Sequence, residues 1–312
     1  MDYTGLTTKY PVNRPLTDAE RQNQLRQAVH VDSAQAFQLS VVRVDEQCLE
    51  IVDKYYEGRG ALTAVVLLSA SLVLVFFAAM LSVTLETPGR LAKDWLLYFG
   101  LAVIASPLFA ALSWALSRDA FTYTHFPIRF DRMAQMVHVF RRDGTVLSKP
   151  WKDVFFCLAH GQSNVWNVRG HVLATDGLTV LETFALSATG GNNDTGKRAV
   201  LGFWEMVRCY MAEGPQQATK LVTQMLPIEH QRETLSFGFH LMHAQSAGAP
   251  RLFVLVYGLL CLVWAPARWL AMRTSHIPRW PVEVVASFGK TSASPPGRTN
   301  SKGGPAAGLA SG

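Results

Sequence analysis

The chain has 312 residues, 49% of them hydrophobic and only 17% charged, with a net charge of +6. Soluble chains carry about 25% charged residues, so this deficit points to apolar surface covered by something other than water, while the net charge is too small to imply nucleic acid. Four scattered cysteines, Cys48, Cys157, Cys209 and Cys261, show no CxxC spacing, which excludes a disulfide framework and fits a reducing compartment.

Residues 1–60 form a polar arm with both signs of charge mixed. No signal peptide opens it, so the first apolar run is expected to act as the membrane address. Thr17-Asp18-Ala19-Glu20 has the spacing of a capping box and predicts a short helix through about Gln27. Asp45 to Tyr56 predicts a second helix, stopped by Gly58-Arg59-Gly60.

Residues 61–117 predict a transmembrane helical hairpin. Ala61 to Leu85 carries no charge over 25 residues, longer than the ~30 Å hydrocarbon layer requires. Pro88-Gly89 breaks the chain, and Leu96 to Ser117 gives a second uncharged stretch in which Pro107 should introduce a kink. Trp95, Tyr98 and Trp114 fall near the ends, where amphipathic rings favour the headgroup zone. Lys54, Arg59, Arg118, Arg129 and Arg132 flank the hairpin, against Arg90 and Lys93 in its turn, which places both ends of the hairpin and the following domain on the cytoplasmic side of a bacterial inner membrane.

From residue 118 to 215 the period changes. Phe121 to Phe126, Ile128 to Phe130, Met136 to Phe140, the run after Asp143-Gly144, Val154 to Leu158, Val165 to Leu173 and Leu178 to Leu186 predict about seven short antiparallel strands. Asp143-Gly144 and Ala174-Thr175-Asp176-Gly177 carry the turn chemistry of hairpins. Gly190 to Asp194 reads as a polar loop. Val200, Phe203, Trp204, Val207 and Met211 then make one apolar stripe on a helix that Gly214-Pro215 stops. The fold class expected is α+β: a transmembrane hairpin plus an antiparallel meander closed into a barrel by one amphipathic helix, an architecture that resembles bacterial pleckstrin-homology-like domains.

Residues 216–251 read as a helical connector. Residues 252–272 hold a third apolar segment, sixteen residues from Leu252 to Ala267 before Arg268. Its shortness, and the cations that follow it, favour an interfacial or re-entrant helix, with a third span as the alternative. The small, polar, proline-rich tail 289–312 is expected to be disordered.

Candidate chemistry is sparse. His240 and His243, with His230 upstream, sit at a spacing that could share a metal, but without cysteine or acid ligands beyond Glu229 and Glu233 they read as surface residues. Cys157 and His160 point to opposite faces of a strand and read as core rather than ligands. Ser163 has no nucleophile-elbow context, no GxxxxGK[ST] phosphate loop occurs, and Glu205 with Arg208 reads as a solvent-side pair. Trp151, Trp166 and Trp204 are core or interface aromatics. No catalytic residue and no cofactor is assigned. One basic stretch stands out as a possible contact for anionic lipid or a protein partner: Arg129, Arg132, Arg141, Arg142, Lys149 and Lys152, in a segment that leaves the membrane directly at Arg118.

LEIVDKYYEGRG, FPIRFDR, VHVFRRDG, PWKDV, RGHVLATDGLTVLETFAL, WEMVRCYMAEGP and IPRWPVEV together resemble an uncharacterised proteobacterial family of two-span membrane proteins, over about residues 40 to 285. The resemblance implies that two-span topology and company with type VI secretion effectors, hence an immunity or accessory role. It supplies no catalytic residues. The expected function is therefore a non-enzymatic inner-membrane binding protein with the bilayer and a secreted effector as partners; the alternative is a membrane-organising or lipid-sensing scaffold that binds anionic headgroups.

Overall fold

A computed structural model describes residues 10–31, 37–86, 90–160, 165–245 and 250–289. The chain divides into two compact units, Met1–Arg279 and Trp280–Gly312. Ahead of the first apolar helix lie β1 (Arg14–Pro15), α1 (Asp18–Gln22), β2 (Gln24–Leu25), β3 (Phe37–Gln38), β4 (Val41–Val44) and β5 (Cys48–Ile51). The long helices α2 (Ala61–Leu85) and α3 (Arg90–Asp119) follow, then β6 (Ile128–Asp131), β7 (Met136–Phe140), β8 (Val146–Pro150), β9 (Val154–His160), β10 (Val165–Leu173) and β11 (Thr179–Gly191). After α4 (Asp194–Glu213) come α5 (Pro215–Ala218), β12 (Val222–Gln224), α6 (Leu235–Gln245) and α7 (Arg251–Thr274). The second unit contributes α8 (Val282–Gly289); beyond it the tail lies outside the described residues.

The fold is mixed α+β, but its sheets do not close into the expected barrel. One antiparallel sheet has the order β4-β5-β6-β7-β8, the other β1-β11-β10-β9-β2, and β3 pairs with β12 in parallel. Closure fails between β8 and β9, where a 3-10 turn at Trp151–Asp153 carries the chain from one sheet to the other. The two-residue strands β1 and β2 occupy the edges of the second sheet. Within residues 118–215 the described residues form six strands, β6 to β11, where about seven were expected. Phe121–Phe126 is irregular: Phe121 takes φ 58°, and Thr122 and Thr124 bond backbone to backbone with His276, which follows α7.

The predicted helix over Asp45–Tyr56 is instead the hairpin β4–β5 and its exit. Asp45 carries the reason: its carboxylate accepts from the Gln47 and Cys48 N–H groups at 2.8 and 2.9 Å and from Arg43 Nε at 2.5 Å, closing a tight turn rather than capping a helix. β5 then pairs with β6 in the register Cys48↔Asp131 to Ile51↔Ile128. The pair α2–α3 is thus an insertion into a continuous meander. The expected capping box at Thr17 is present, but α1 ends at Gln22 because β2 must pair with β9.

The core between the sheets is aromatic. Trp151 stacks on Trp204 with centroids 5.6 Å apart, and Phe156 lies 4.7 Å from Trp204 and 6.1 Å from Phe184. Gly170 is required there, since a Cβ would lie 2.4 Å from the Phe184 ring. Val200, Phe203, Trp204, Val207 and Met211 are all buried, as their stripe predicted, and Gly214 at φ 99° ends α4 before Pro215. Gly190-Gly191 finishes β11 rather than forming a loop, and Asn193 caps α4 by accepting from the Gly196 N–H at 2.6 Å.

Ala61–Leu85, Asp94–Asp119 and Arg251–Thr274 are each long and apolar enough to cross a membrane, consistent with a membrane protein. Their outer faces are apolar and open, Ile104 at 74% and Leu252 at 73% exposure. α3 runs unbroken through Pro107, and α7 through Pro266.

Candidate functional site

The densest buried polar cluster joins these apolar helices to the sheets. α2 begins at Gly60, φ 84°, with no capping side chain of its own. Its cap comes from the last residue of α3: the Asp119 carboxylate accepts from the Gly60 N–H at 3.0 Å, the Thr63 N–H at 2.9 Å and the Thr63 hydroxyl at 2.8 Å. A carboxylate suits the positive end of a helix and satisfies donors that would otherwise be orphaned in an apolar setting. Arg59 donates to the Asp119 carbonyl at 3.0 Å and stands over the Phe126 ring at 5.2 Å.

α7 docks against this start through Arg268, which is fully buried. Its Nε and Nη2 donate to Glu233 at 2.8 and 2.7 Å, and Nη1 donates to the carbonyls of Tyr56, Glu57 and Arg59 at 2.8, 3.0 and 3.2 Å. The Tyr56 hydroxyl donates to the same Glu233 carboxylate. Gly60 is glycine for this contact as well as for its φ, because a Cβ would lie 2.3 Å from Arg268 Cα. Trp264 Nε1 adds a bond to the Arg59 carbonyl at 2.9 Å.

Behind it lie Asp53 and His125. Asp53 accepts from the Phe126 and Tyr55 N–H groups at 2.9 and 3.1 Å, and burial raises it above the usual carboxylate range against the pull of Arg59. Burial, with the Arg59 charge, pushes His125 down to about 3. Each charge in the cluster has a partner placed for it, so the arrangement ties elements together and leaves the Arg268 guanidinium fully engaged. In the sequence Arg268 stands only as the cation that closes the third apolar run, with no partner indicated. Glu233 and Asp119, distant in sequence, carried no signal.

The six sequence-predicted cations do not form one patch. Arg129 lies on β6 and is neutralised across the ladder by Glu50 at 2.5 and 2.8 Å. Arg141 is clamped by Glu182 of β11. Arg132 packs its guanidinium against Gly214, where a Cβ would lie 3.1 Å away. Lys149 is half-buried and Lys152 exposed on the way to the second sheet. Arg142 alone meets the end of an apolar helix, donating to the Ser117 carbonyl at 3.3 Å.

Glu205 and Arg208, expected at the surface, are buried. Glu205 accepts from Arg208 at 2.6 and 2.8 Å and from the Val31 N–H at 3.0 Å, and pairs with His30 Nδ1 at 2.6 Å, pinning the amino-terminal arm on α4. Cys157 meets His171 at 3.4 Å rather than His160, which instead bonds Asn192 at 2.9 Å. Burial pushes the Cys157 thiol up to about 12, so it is no nucleophile at neutral pH. His240 and His243 line an apolar cleft of 390 Å³ between α6 and α7, and His230 is exposed beside Glu229. Among the described residues no three His, Cys, Asp or Glu side chains converge. Ser163 lies outside the described residues.

Residues 106–291 match the model of a family of unknown function, DUF6708, and the chain belongs to that family. The match runs from the second half of α3 through β6 to β12 and past α7 to the end of α8, so it takes in Asp119, Glu233 and Arg268. No curated protein and no solved structure matches the chain.

Proposed function

We propose that this protein is a non-enzymatic binding module of a bacterial inner membrane, in which apolar helices hold the two sheets rigidly at the cytoplasmic surface. The observation that carries the reading is the closed junction of Asp119, Gly60, Arg268 and Glu233, which fixes the domain-side ends of α2, α3 and α7 to one another and to the chain leaving β5. A tether needed only to anchor a domain requires no such lock; one that presents a binding face at a set height does. The four cysteines are all buried, so none is offered to a substrate as a nucleophile.

In this reading α2 and α3 span, and α6 and α7 form a re-entrant pair. Gly238 lies against Arg268, and Met242 packs with Cys261 and Ala265, so the two helices run antiparallel from the junction. The eleven residues of α6 rise about 16 Å, half the hydrocarbon layer. The residues after α7 then return to the side of the sheets. A protein of a type VI effector module, implied by the family resemblance of the sequence, is the partner in this reading. A second reading, binding of anionic headgroups, is favoured by Arg142 at the end of α3.

The test is labelling of intact cells with a membrane-impermeant maleimide, on Gly89→Cys and Lys152→Cys variants. The buried native cysteines keep background low. Labelling at Gly89 alone is expected. Labelling at Lys152 puts the sheets outside and removes a cytoplasmic partner. Lack of protection from an adjacently encoded toxin, together with no isolable complex, discards the effector assignment.

A further inference from the structure

We propose that a cleft at the domain-side ends of α3 and α7, built on Arg232, Arg279, His276 and Tyr123, binds the phosphate of an anionic lipid headgroup. The proposal deepens the membrane reading above and rests on it for the depth of the cleft, but its residues are not those the sequence pointed to.

The cleft encloses 460 Å³ and is lined by Tyr123, Phe140, Gly144, Arg232, His276 and Arg279, with Ile277 at its edge. No carboxylate lines it among the described residues. Arg232 is held in place by donating through Nε and Nη2 to the Ser275 carbonyl, at 3.3 and 3.0 Å, which leaves Nη1 free of protein acceptors among the described residues. A guanidinium fixed on one edge and open on the other is suited to two-point contact with phosphate oxygens. Arg279 and His276 are exposed and add cationic and donor capacity. The Tyr123 hydroxyl stands at the Gly144 turn, where a glycine Cβ would lie 2.8 Å from it, so that glycine keeps the cleft open.

Position argues for lipid rather than a solute. The floor of the cleft is the bridge between two segments that leave apolar helices directly: the Thr124 N–H donates to the His276 carbonyl at 2.9 Å, and the His276 N–H to the Thr122 carbonyl at 2.7 Å. Asp119 ends α3 four positions before Tyr123, and Thr274 ends α7 two before His276. The last turns of both helices carry a Trp beneath an Arg, Trp114 with Arg118 at 4.7 Å and Trp269 with Arg273 at 5.5 Å, the pairing expected at headgroup level. The turn that supplies Gly144 also supplies Arg142, whose charged neighbours are Arg118 and Arg59. Burial and those two cations lower Arg142 from its usual value, a like-charge cost that an anion relieves. Of the acids close to the cleft residues in the chain, Asp143, next to Gly144, accepts from the Thr145 N–H and hydroxyl at 3.0 and 2.6 Å, and Asp119 and Glu233 are engaged in the junction.

The experiment uses the full chain in nanodiscs of phosphatidylcholine doped with phosphatidylglycerol, with native mass spectrometry counting the phosphatidylglycerol retained. His276→Gln with Arg279→Gln is expected to lower retention about thirtyfold, from the loss of ~1 kcal/mol of attraction per basic residue at the surface. Arg142→Gln is expected to lower it about threefold. Arg43→Gln, whose side chain pairs with Asp45 and Glu229 elsewhere, is the control and should match the parent. Competition by millimolar inorganic phosphate supports the phosphate site and assigns it to a free anion; no competition supports the headgroup. Parent-level retention in both cleft variants overturns the proposal. Membrane anchoring is scored separately by resistance to alkaline carbonate extraction, so release there sinks the membrane reading without being confused with loss of lipid.

Discussion

Around Trp204 the protein buries rings against rings; around Arg268 it buries a guanidinium, a carboxylate and a phenol. Both residues are among the largest fully buried side chains of the described chain, yet different forces keep them there. The aromatic core gains from area removed from water and needs little geometric agreement; even the Trp204 indole N–H is buried without a partner. The junction depends on its charges being paired, because desolvated charges are stable only when paired and bonded, and Arg59 Nε is an atom that it leaves buried without a partner. A core of the first kind tolerates repacking. A lock of the second kind fails as a unit, which suits a joint between the apolar helices and the sheets.

The comparison breaks most visibly if one member of the junction is removed. Glu233→Ala leaves Arg268 Nε and Nη2 and the Tyr56 hydroxyl without their acceptor, and should cost about 3–5 kcal/mol of stability in detergent. Arg268→Met combined with Glu233→Leu removes both charges and should recover most of that loss. Equal destabilisation of single and double variants, measured by thermal unfolding, contradicts the account of a charge lock.

The core answers differently to an equally drastic change. Trp204→Ala should cost about 3–5 kcal/mol through the cavity it leaves, whereas Trp204→Phe should cost less than about 1.5 kcal/mol because the unpartnered N–H is lost without penalty. Chemical denaturation of the two variants gives both numbers. A Phe variant as damaging as the Ala variant points to a hydrogen bond at Nε1 and removes the contrast with the junction.

Asp119→Ala comes next in size. The loss of the cap shared by Gly60 and Thr63 should cost about 1–2 kcal/mol, the cost of a lost N-cap, and less than breaking the Arg268 pair, which leaves a charge unpaired. Thermal unfolding beside Glu233→Ala ranks the two.

Legibility in the sequence follows the same division. The stripe Val200, Phe203, Trp204, Val207, Met211 and the Asp-Gly turns at 143–144 and 176–177 are local patterns, and the structure shows the helix and hairpins they predict. The pairing of β5 with β6 across the inserted apolar helices is not local, so the hairpin before Ala61 was read as a helix from Asp45. Arg268 appeared as the end of an apolar run because its partner, Glu233, sits on another element and no spacing rule connects them. Arg129 and Arg141 looked available for a ligand since their acids, Glu50 and Glu182, lie far along the chain. The cleft cations Arg232 and Arg279 meet Tyr123 only through the bridge at His276.

The smallest effect is a pH dependence confined to the junction side of the comparison. His125 is fully enclosed between Thr124, the Tyr56 ring and Arg59, and its folded value is pushed down to about 3. Between about 3 and 6.5 the unfolded chain therefore binds a proton that the folded chain does not, so this residue makes stability fall as pH falls, by at most about 1.4 kcal/mol per pH unit. Asp53, raised by burial, acts in the opposite sense: its folded form holds a proton that the unfolded form has lost, and stability falls as pH rises above the ordinary carboxylate range. The two partly cancel in the parent, so the informative quantity is a difference. The stability advantage of the parent over His125→Gln should be widest near neutral pH and narrow steadily towards pH 4, measured as unfolding midpoints at each pH. A gap that stays constant means that His125 titrates normally and that water reaches this side of the junction, which then resembles an open surface more than a sealed joint.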